Sequence, residues 1–344
     1  MAGAQHTTSL RTYALTRLAL ALPMVWILLT MVFLLMRVAP GDPISAALGG
    51  RLSPEELQER REAAGYDEPL IKQYFEYLGN VVTLDFGETI IDNRPVTDVI
   101  RQNGAATLEL TIAAFLVSLA VGIPIGLVCG RYRDTPIDIA GRLFGIVIYA
   151  APVFFLGFLA QIIFSQWLGW FPSSGRASPE VSFDLESTTN LFLIDSLITL
   201  NFNAFWDVLS HLVLPSVTLG LVIGGVFIRL VRVNVLQTLQ GDYIEAARAR
   251  GLPERNVVWY HAFKNALVPV ITVIGLQVAL LLGGAVLTEQ TFNWPGIGSE
   301  LIRYLNNRDY IAIQGIITFF ALLVVFISIL IDLVNAWVDP RVRY

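Results

Sequence analysis

Long apolar stretches separated by polar segments dominate the pattern of this 344-residue chain. A helix needs roughly 20 apolar residues to cross about 30 Å of hydrocarbon. Six stretches reach that length: residues 18–36, 110–130, 143–171, 208–228, 265–288 and 310–331. The pattern therefore predicts an all-α integral membrane protein with six transmembrane helices.

Three apolar stretches need separate treatment. The third span is long enough to cross with tilt, or to end in an interfacial turn at residues 168–172. The patch at residues 191–200 is interrupted by Asp195, which favours an interfacial or re-entrant piece. The first stretch follows Arg11 and Arg17 as a signal peptide would, but its apolar core is longer than the usual 7–15 residues or so. We predict an uncleaved span there.

Arginines divide the polar segments into two sides. Those near the termini, after the second span and between the fourth and fifth spans fall on one side. The positive-inside rule makes that side cytoplasmic, with both termini inside. The predicted divisions are a cytoplasmic N-terminus at 1–17, a first span at 18–36, a small extracytoplasmic subdomain at 37–104, a five-span core at 105–336 with a coupling loop at 232–262, and a cytoplasmic tail at 337–344.

The predicted subdomain carries its own helix signals. Ser53, Pro54 and Glu56 have the spacing of a capping box, with proline at the first helical position. We predict helices at residues 53–64 and 69–82, and hence an ordered segment rather than a loose connector.

Composition excludes several classes of function. Hydrophobic residues make up 55% of the chain and charged residues 15%, with a mean hydropathy of +0.62, which fits a polytopic membrane protein. Nucleic-acid binding is not indicated, because the chain has no basic stretch interleaved with aromatic residues. Neither Lys72 nor Lys264 lies in a phosphate-binding loop, so the chain is not expected to hydrolyse ATP or to hold a cofactor.

Candidate catalytic and metal-binding groups are scarce. The three histidines show no metal-ligand spacing with each other or with the single cysteine, Cys129. Glu109 and His211 are the only ionisable residues near span interiors, and both lie towards the outer ends, where an interfacial position is favoured. We predict no catalytic residues and no metal site.

The loop between the fourth and fifth spans carries the clearest functional signal. Asp242 suits a helix start, Glu245 follows, and Ala246 and Ala247 keep the helix thin enough for another surface to approach closely. Gly251 suits the C-terminal end of that helix. The alternative is an ordinary amphipathic surface helix.

Several motifs resemble those of binding-protein-dependent importer permeases of the ABC class, within the dipeptide, oligopeptide and nickel group. Glu245-Ala246-Ala247 followed by Gly251 resembles the Glu-Ala-Ala loop of these permeases. The other matching stretches lie at residues 37–43, 85–87, 94–96, 107–111, 168–172, 242–244, 264–269, 292–298, 308–310 and 339–343. The similarity extends over nearly the whole chain.

This resemblance implies a permease subunit in the cytoplasmic membrane of a prokaryote, importing di- or oligopeptides or a related solute. It implies a second permease subunit, two ATPase subunits that bind ATP and Mg²⁺, and an extracytoplasmic substrate-binding lipoprotein. Coupling to the ATPases would involve Asp242, Glu245, Ala246, Ala247 and Gly251. A structural subunit of another membrane complex, or a passive channel, are the alternatives, and neighbouring genes for the partners would separate them.

Two further groups of residues have candidate roles. Uncharged polar residues within spans would either line a translocation path or hydrogen-bond to a neighbouring helix. These are Gln161, Thr218, Gln277 and Gln314. The outer segment 37–104 and the turn at Trp294, Pro295 and Gly296 are expected to dock the binding protein; for Trp294 the alternative is the aromatic belt of the membrane interface.

Overall fold

The computed structural model describes residues 10–38, 53–63 and 67–338, and helices joined by turns and irregular segments make up these ranges. Among them we find no β-strand, only an isolated antiparallel bridge between Glu88 and Pro95. The helices before the chain's midpoint are α1 (Leu10–Val38), α2 (Pro54–Ala63), α3 (Leu70–Val82), α4 (Val96–Arg131), α5 (Pro136–Ala150) and α6 (Val153–Ala160), which continues as a π-helix at Gln161–Trp167.

The remaining helices are α7 (Pro179–Asp184), α8 (Phe192–Ile198), α9 (Phe202–Leu239), α10 (Asp242–Ala249), α11 (Glu254–Asn256), a π-helix at Val257–Ala262, α12 (Phe263–Ala266), α13 (Val268–Phe292), α14 (Ile297–Asn306) and α15 (Tyr310–Val338). The predicted helices at 53–64 and 69–82 correspond to α2 and α3. Ser53 and Glu56 form the predicted capping box, with the Glu56 amide donating to Ser53 Oγ at 3.3 Å and the Ser53 amide to Glu56 Oε2 at 2.9 Å.

By length and hydropathy, 4 helices can cross a membrane within the described ranges. They lie in α1, α4, α9 and α15. Two bent helix pairs bring the number to 6 if each pair is a single span. The predicted count of six spans thus depends on how these two bent pairs are placed in the bilayer.

The predicted third span at 143–171 is wrong as a continuous helix. Its two parts, Pro136–Ala150 and Val153–Trp167, meet at 105°. Pro152 explains the break, because the residue before a proline is driven out of the helical region. Ala151 accordingly adopts ψ 136, and Pro152 lies at the N-terminal end of α6.

The centre of the fold is the pairing of α4 with α9. Gly122 of α4 faces Phe227 of α9, and Gly130 faces Val235. Because the two sets of numbers rise together, the helices run in the same direction. A methyl group on Gly130 would lie 2.7 Å from the Val235 side chain, so glycine allows the two helices to approach closely. Gly283 is different, since nothing in the described structure lies within 4 Å of the position of its missing Cβ.

The two ends of the helical assembly are distinct. Arg17 near the start of α1 pairs with Asp332 near the end of α15 at 3.3 Å. These helix ends lie at the same end as the connector between α9 and α13, because α15 and α9 both run away from the outer turns. We call this the connector end, and the end that holds residues 85–96 and 293–310 the outer end.

Residues just before the second span pack onto residues from the C-terminal part of the chain. Val96, Val99, Ile297, Tyr304 and Ile316 share one buried cluster. Helix α4 crosses the predicted boundary at 104/105 without a break. The patch at 191–200 holds the short helix α8. Predicted features at residues 1–9, 39–52, 64–66 and 339–344, including most of the motif at 37–43 and the terminal motif, lie outside the described residues.

Candidate functional site

A tight turn at the connector end leads from α9 into α10. The helix begins after Gly241, whose carbonyl accepts a hydrogen bond from the Ile244 amide at 2.9 Å. No side chain caps this end, so the expectation that Asp242 caps the helix is wrong. Asp242 instead lies in the first turn, where a carboxylate interacts favourably with the helix dipole.

The other end of α10 closes on glycine as predicted. Gly251 has φ +76, in the left-handed region, and its amide donates to the Arg248 carbonyl at 2.9 Å. The Leu252 amide donates to the Ala247 carbonyl at 3.3 Å, completing a glycine-terminated helix end. Nothing lies within 4 Å of a Cβ added at Gly251. Backbone conformation, rather than lack of space within the chain, therefore requires glycine here.

Helix α10 has one face fixed to the chain and one face open. Ile244 and Ala247 pack against Val257 and Ala262 of the following π-helix. The other face of α10 is exposed, and it carries Asp242, Glu245, Ala246 and Ala249. Of the predicted coupling residues, Ala247 thus serves the contact within the chain. Small and acidic side chains form the surface left for a partner.

An ion pair joins α10 to α11. Arg248 donates to Glu254 at 2.8 and 3.1 Å. These hydrogen bonds hold the pKa of Glu254 below its ordinary value. Both side chains are about half exposed, and such surface pairs contribute only about 0–1 kcal/mol to stability. The pair orients the two helices more than it stabilises them.

Near the connector end, an ion pair links α5 to α9. Asp138 of α5 is fully buried and accepts two hydrogen bonds from Arg232 of α9, at 2.6 and 2.8 Å. Such a fork of two hydrogen bonds fixes geometry as well as charge. It ties the first turn of α5 to the last part of α9, so α5 is held to the helix that leads into α10.

At the outer end, Glu289 of α13 is fully buried, and its side chain hydrogen-bonds to two other segments. Its carboxylate accepts hydrogen bonds from Thr107 Oγ1 at 2.6 Å and from the Ser299 amide at 2.8 Å. Thr107 Oγ1 in turn accepts from the Ile297 amide at 2.9 Å. A Cβ on Gly296 would overlap the Glu289 carboxylate, which explains glycine there. The motifs at residues 107–111 and 292–298 therefore contact each other through this hydrogen-bond network.

Both predicted roles of Trp294, docking the binding protein and lying in the membrane aromatic belt, need an exposed side chain. Trp294 is 0% exposed, and its indole N–H donates to the Ala106 carbonyl at 2.9 Å. Gly296 is buried as well, whereas Pro295 is exposed. Burial removes Trp294 both from a docking surface and from the membrane aromatic belt. Its function is to join α13 to α4.

A buried ion pair, missed by the sequence reading, connects α4 with the segment at 172–207. Arg176 donates to Glu109 at 2.8 and 2.9 Å, and both side chains are 5% exposed. The Leu193 amide also donates to Glu109, and the guanidinium lies 3.9 Å from the centre of the Phe192 ring. Glu109 is thus buried within the protein by an ion pair, and its interfacial position stays a prediction. Its partner is 67 residues away, and no local pattern marks such a pair.

The four candidate path residues lie at different places. Gln161 donates to the carbonyls of Ser173 and Thr291, at 2.8 and 3.0 Å, as in the alternative reading of an intramolecular hydrogen bond. Thr218 is 3% exposed and Gln277 is 6% exposed. Gln314 lies beside Tyr77 of α3, at the outer end. The structure does not bring these four together, and the path-lining role remains a prediction.

Acidic residues at the outer end form a second network. Arg303 of α14 donates to Asp92 at 2.8 Å, and Tyr304 donates to the same oxygen at 3.1 Å. Asp309 accepts from the amides of Ile90 and Ile91, at 2.6 and 3.1 Å. Burial by itself would raise the pKa of Asp92, but the hydrogen bond and charge of Arg303 outweigh it and hold that pKa below its ordinary value.

Metal chemistry finds no support within the described ranges, where no group of three or more His, Cys, Asp or Glu side chains could hold an ion. What the structure presents is a set of apolar helices, an outer end cross-linked by hydrogen bonds, and a connector helix with one open face. These features are those of a polytopic membrane protein with an exposed helix face at its connector end.

The chain belongs to the family described as binding-protein-dependent transport system inner membrane component, which it matches over residues 122–344. Residues 10–111 match the family described as the N-terminal part of the membrane component of binding-protein-dependent transport systems. It is 36% identical to the dipeptide transport system permease protein DppB of Alkalihalophilus pseudofirmus over 96% of this chain and 99% of that protein.

Other relatives carry similar names. The di/tripeptide transport system permease protein DppB of Pseudomonas aeruginosa is 37% identical over 95% of this chain and 97% of the relative. The dipeptide transport system permease protein DppB of Escherichia coli is 36% identical over 96% and 98%. The resemblance read from the motifs is confirmed, and the chain is a membrane component of a binding-protein-dependent transport system.

Proposed function

We propose that this chain is one permease subunit of an ATP-driven importer of short peptides. The observation that carries the proposal is α10, with Ile244 holding one face to the chain and Glu245 and Ala246 on the open face. Relatives along nearly the full length are named as dipeptide or di/tripeptide permeases, which supports short peptides as the substrate class. Energy comes from separate ATPase subunits that bind ATP and Mg²⁺.

In this proposal, one ATPase subunit contacts α10 of this chain and another contacts the corresponding helix of a second permease subunit. The small side chains of Ala246 and Ala249 allow close approach. The carboxylates of Asp242 and Glu245 favour a basic or amide-rich recess on the ATPase. Arg248 is engaged with Glu254 and adds little net charge to this surface.

Force applied to α10 would reach two spans. Leu239 at the end of α9 packs against the cluster that holds Ile244, and the π-helix at Val257–Ala262 continues into α12 and α13. A displacement of α10 therefore moves α9 and α13 together as packed elements. Rigid-body motion of this kind is one of the standard ways in which transport proteins change the side from which a site is open.

Orientation follows from charge and from the common position of the helix ends. Arg17, Arg133, Arg142, Arg229 and Arg232 all lie at the connector end, which we place in the cytoplasm together with both termini. The Arg17–Asp332 pair supports a shared side, because it brings the start of α1 next to the end of α15.

The outer end is the proposed docking face for an extracytoplasmic binding lipoprotein. Trp294 is excluded as an anchor, and the exposed neighbours Asn293 and Pro295 take its place. Residues 85–96 are held to α14 by the Asp92–Arg303 pair and can present a fixed surface. Cross-linking from cysteines at Glu56, Glu88 and Asn293 tests this face; capture only through residues 172–207 would move the docking face to that segment.

The functional test uses the complete transporter in proteoliposomes with a labelled dipeptide. Glu245→Lys reverses charge on the open face of α10, and Glu186→Lys makes the same change at an exposed position in the loop after α7, outside both proposed surfaces. We expect Glu245→Lys to reduce uptake and peptide-stimulated ATP hydrolysis by about tenfold or more, equivalent to about 1.4 kcal/mol of lost coupling, with Glu186→Lys unchanged. Wild-type stimulation in Glu245→Lys would refute the coupling surface, and uptake of other solutes without peptide uptake would refute the substrate class.

A further inference from the structure

A groove lies beside the crossing of α5 and α9. The helices meet at glycines, since a Cβ on Gly225 would lie 2.7 Å from the Gly145 carbonyl oxygen. The groove has a volume of about 530 Å³ and extends from this crossing to the connector end. It opens beside α9, a candidate membrane span, and α5, which meets the same criteria only together with α6. A ligand in the groove would therefore enter from the bilayer.

The two ends of the groove differ in character. Its deeper part is lined by Ile146, Tyr149 and Val226, and Ile146 is 62% exposed. Arg142 and Arg229 line its other end. From Arg142 to Tyr149 the helix rises by about 10 Å at about 1.5 Å per residue. The groove therefore has an apolar wall about 10 Å long, and arginines line its end nearest the connector.

Positive charge at that end of the groove exceeds the negative charge nearby. Arg232 also lines the groove, but its two hydrogen bonds engage Asp138. Arg142 lies 3.7 Å from the same carboxylate, which is already shared. Arg229 is exposed and has no hydrogen-bond or ion-pair partner among the described residues. Three arginines of the groove thus face Asp138 and the more distant Asp134, which is itself paired with Arg133.

We propose that this groove binds a phospholipid with an anionic headgroup. Its phosphate lies between Arg229 and Arg142, and one acyl chain follows the apolar wall past Ile146 and Tyr149. Basic pockets between membrane helices at the cytoplasmic side are suited to anionic headgroups because both charge and hydrocarbon are matched there. Under the proposed orientation this is the inner leaflet. Free phosphate would leave the apolar wall without a ligand.

The first test is native mass spectrometry of the complete transporter, purified in mild detergent with phosphatidylglycerol and phosphatidylcholine supplied together. The double variant Arg142→Gln/Arg229→Gln should lose one retained phosphatidylglycerol per copy of this chain and bind it about tenfold more weakly. Arg131→Gln/Arg133→Gln, at the same end but outside the groove, should retain the wild-type number. An unchanged lipid count in the double variant would overturn the proposal.

A second measurement identifies what covers the groove. A photoreactive amino acid at Val233, which also lines it, should form adducts with phospholipid in the assembled transporter. Adducts only with the second permease subunit would show that the groove is a protein interface and would overturn the lipid assignment. Displacement of phosphatidylglycerol by excess inorganic phosphate alone would show that the acyl chain contributes nothing, which also contradicts it. Peptide uptake is not part of either readout, so failure of the proposed transport function is detected separately.

Discussion

The hydroxyl of Thr107 donates a hydrogen bond of 2.6 Å to the carboxylate of Glu289, across 182 positions of sequence. This contact joins the outer part of α4 to the outer end of α13, and the same hydroxyl accepts the Ile297 amide. Both side chains are buried, at 3% and 0% exposed. The outer end is therefore held by groups that cannot exchange their partners for water.

Thr107→Ala should destabilise the outer end, because it leaves the Glu289 carboxylate and the Ile297 amide short of a partner. Loss of a buried partner of this kind costs about 1–3 kcal/mol. Thermal unfolding of the assembled transporter in detergent measures the effect. Thr107→Ser retains the hydroxyl and serves as the control. Equal midpoints for the alanine and serine variants would show that the hydrogen bonds contribute nothing.

Arg176→Met should be more damaging than removal of the whole ion pair. The single change leaves the Glu109 carboxylate buried with only the Leu193 amide, and breaking a buried pair in this way costs about 3–5 kcal/mol. Glu109→Gln/Arg176→Met removes both charges and should recover much of the loss. The amount of folded protein in the membrane and the thermal unfolding midpoint are measured for the single and the double variant. A double variant no better than the single one would contradict this account.

Substitutions at Gly251 should follow backbone conformation rather than size. Its φ of +76 costs an ordinary L-residue about 1–2 kcal/mol, and asparagine tolerates this region better than alanine does. We expect peptide-stimulated ATP hydrolysis to decrease in the order glycine, asparagine, alanine, with similar protein levels. Gly79→Ala, at a helical glycine with nothing within 4 Å, is the control. If alanine performed as well as glycine, the left-handed helix end would not matter for coupling.

The Asp92–Arg303 pair should make the outer end sensitive to acid. The folded pKa of Asp92 lies below the ordinary aspartate value of about 4. Its contribution to stability is therefore fully present above that ordinary value and is lost as the pH falls through the lower folded pKa. Asp92→Asn should lower the thermal unfolding midpoint at neutral pH. On acidification, the midpoint of this variant should fall by less than that of the wild type. Parallel pH profiles for wild type and variant would exclude this contribution.

Local signals predicted much of the fold. The capping box at Ser53 and Glu56, and the glycine that ends α10 at Gly251, are decided within a few residues and appear as expected. The break in the third span could have been read from Pro152, since the residue before a proline avoids the helix. Apolar length alone concealed it, because both halves are hydrophobic.

The outer end could not be predicted in the same way. Trp294 looks like an exposed aromatic turn in sequence, but its indole partner is the carbonyl of Ala106, 188 positions away. Arg176 lies in a polar segment, and nothing near it indicates a buried carboxylate partner. In both cases the deciding contact is long-range and hydrogen-bonded. Periodicity and local motifs carry no information about such partners.

The glycine-mediated packing of α4 on α9 has a consequence for movement. With Gly130 touching Val235 and Gly122 touching Phe227, neither helix can slide along the other without overlap. The two helices must therefore move as one rigid unit. Any rearrangement driven from α10 then has to pivot where a helix is sharply broken, at Ala151–Pro152 between α5 and α6. Cross-linking α4 to α9 would leave transport intact, whereas stiffening that break would stop it.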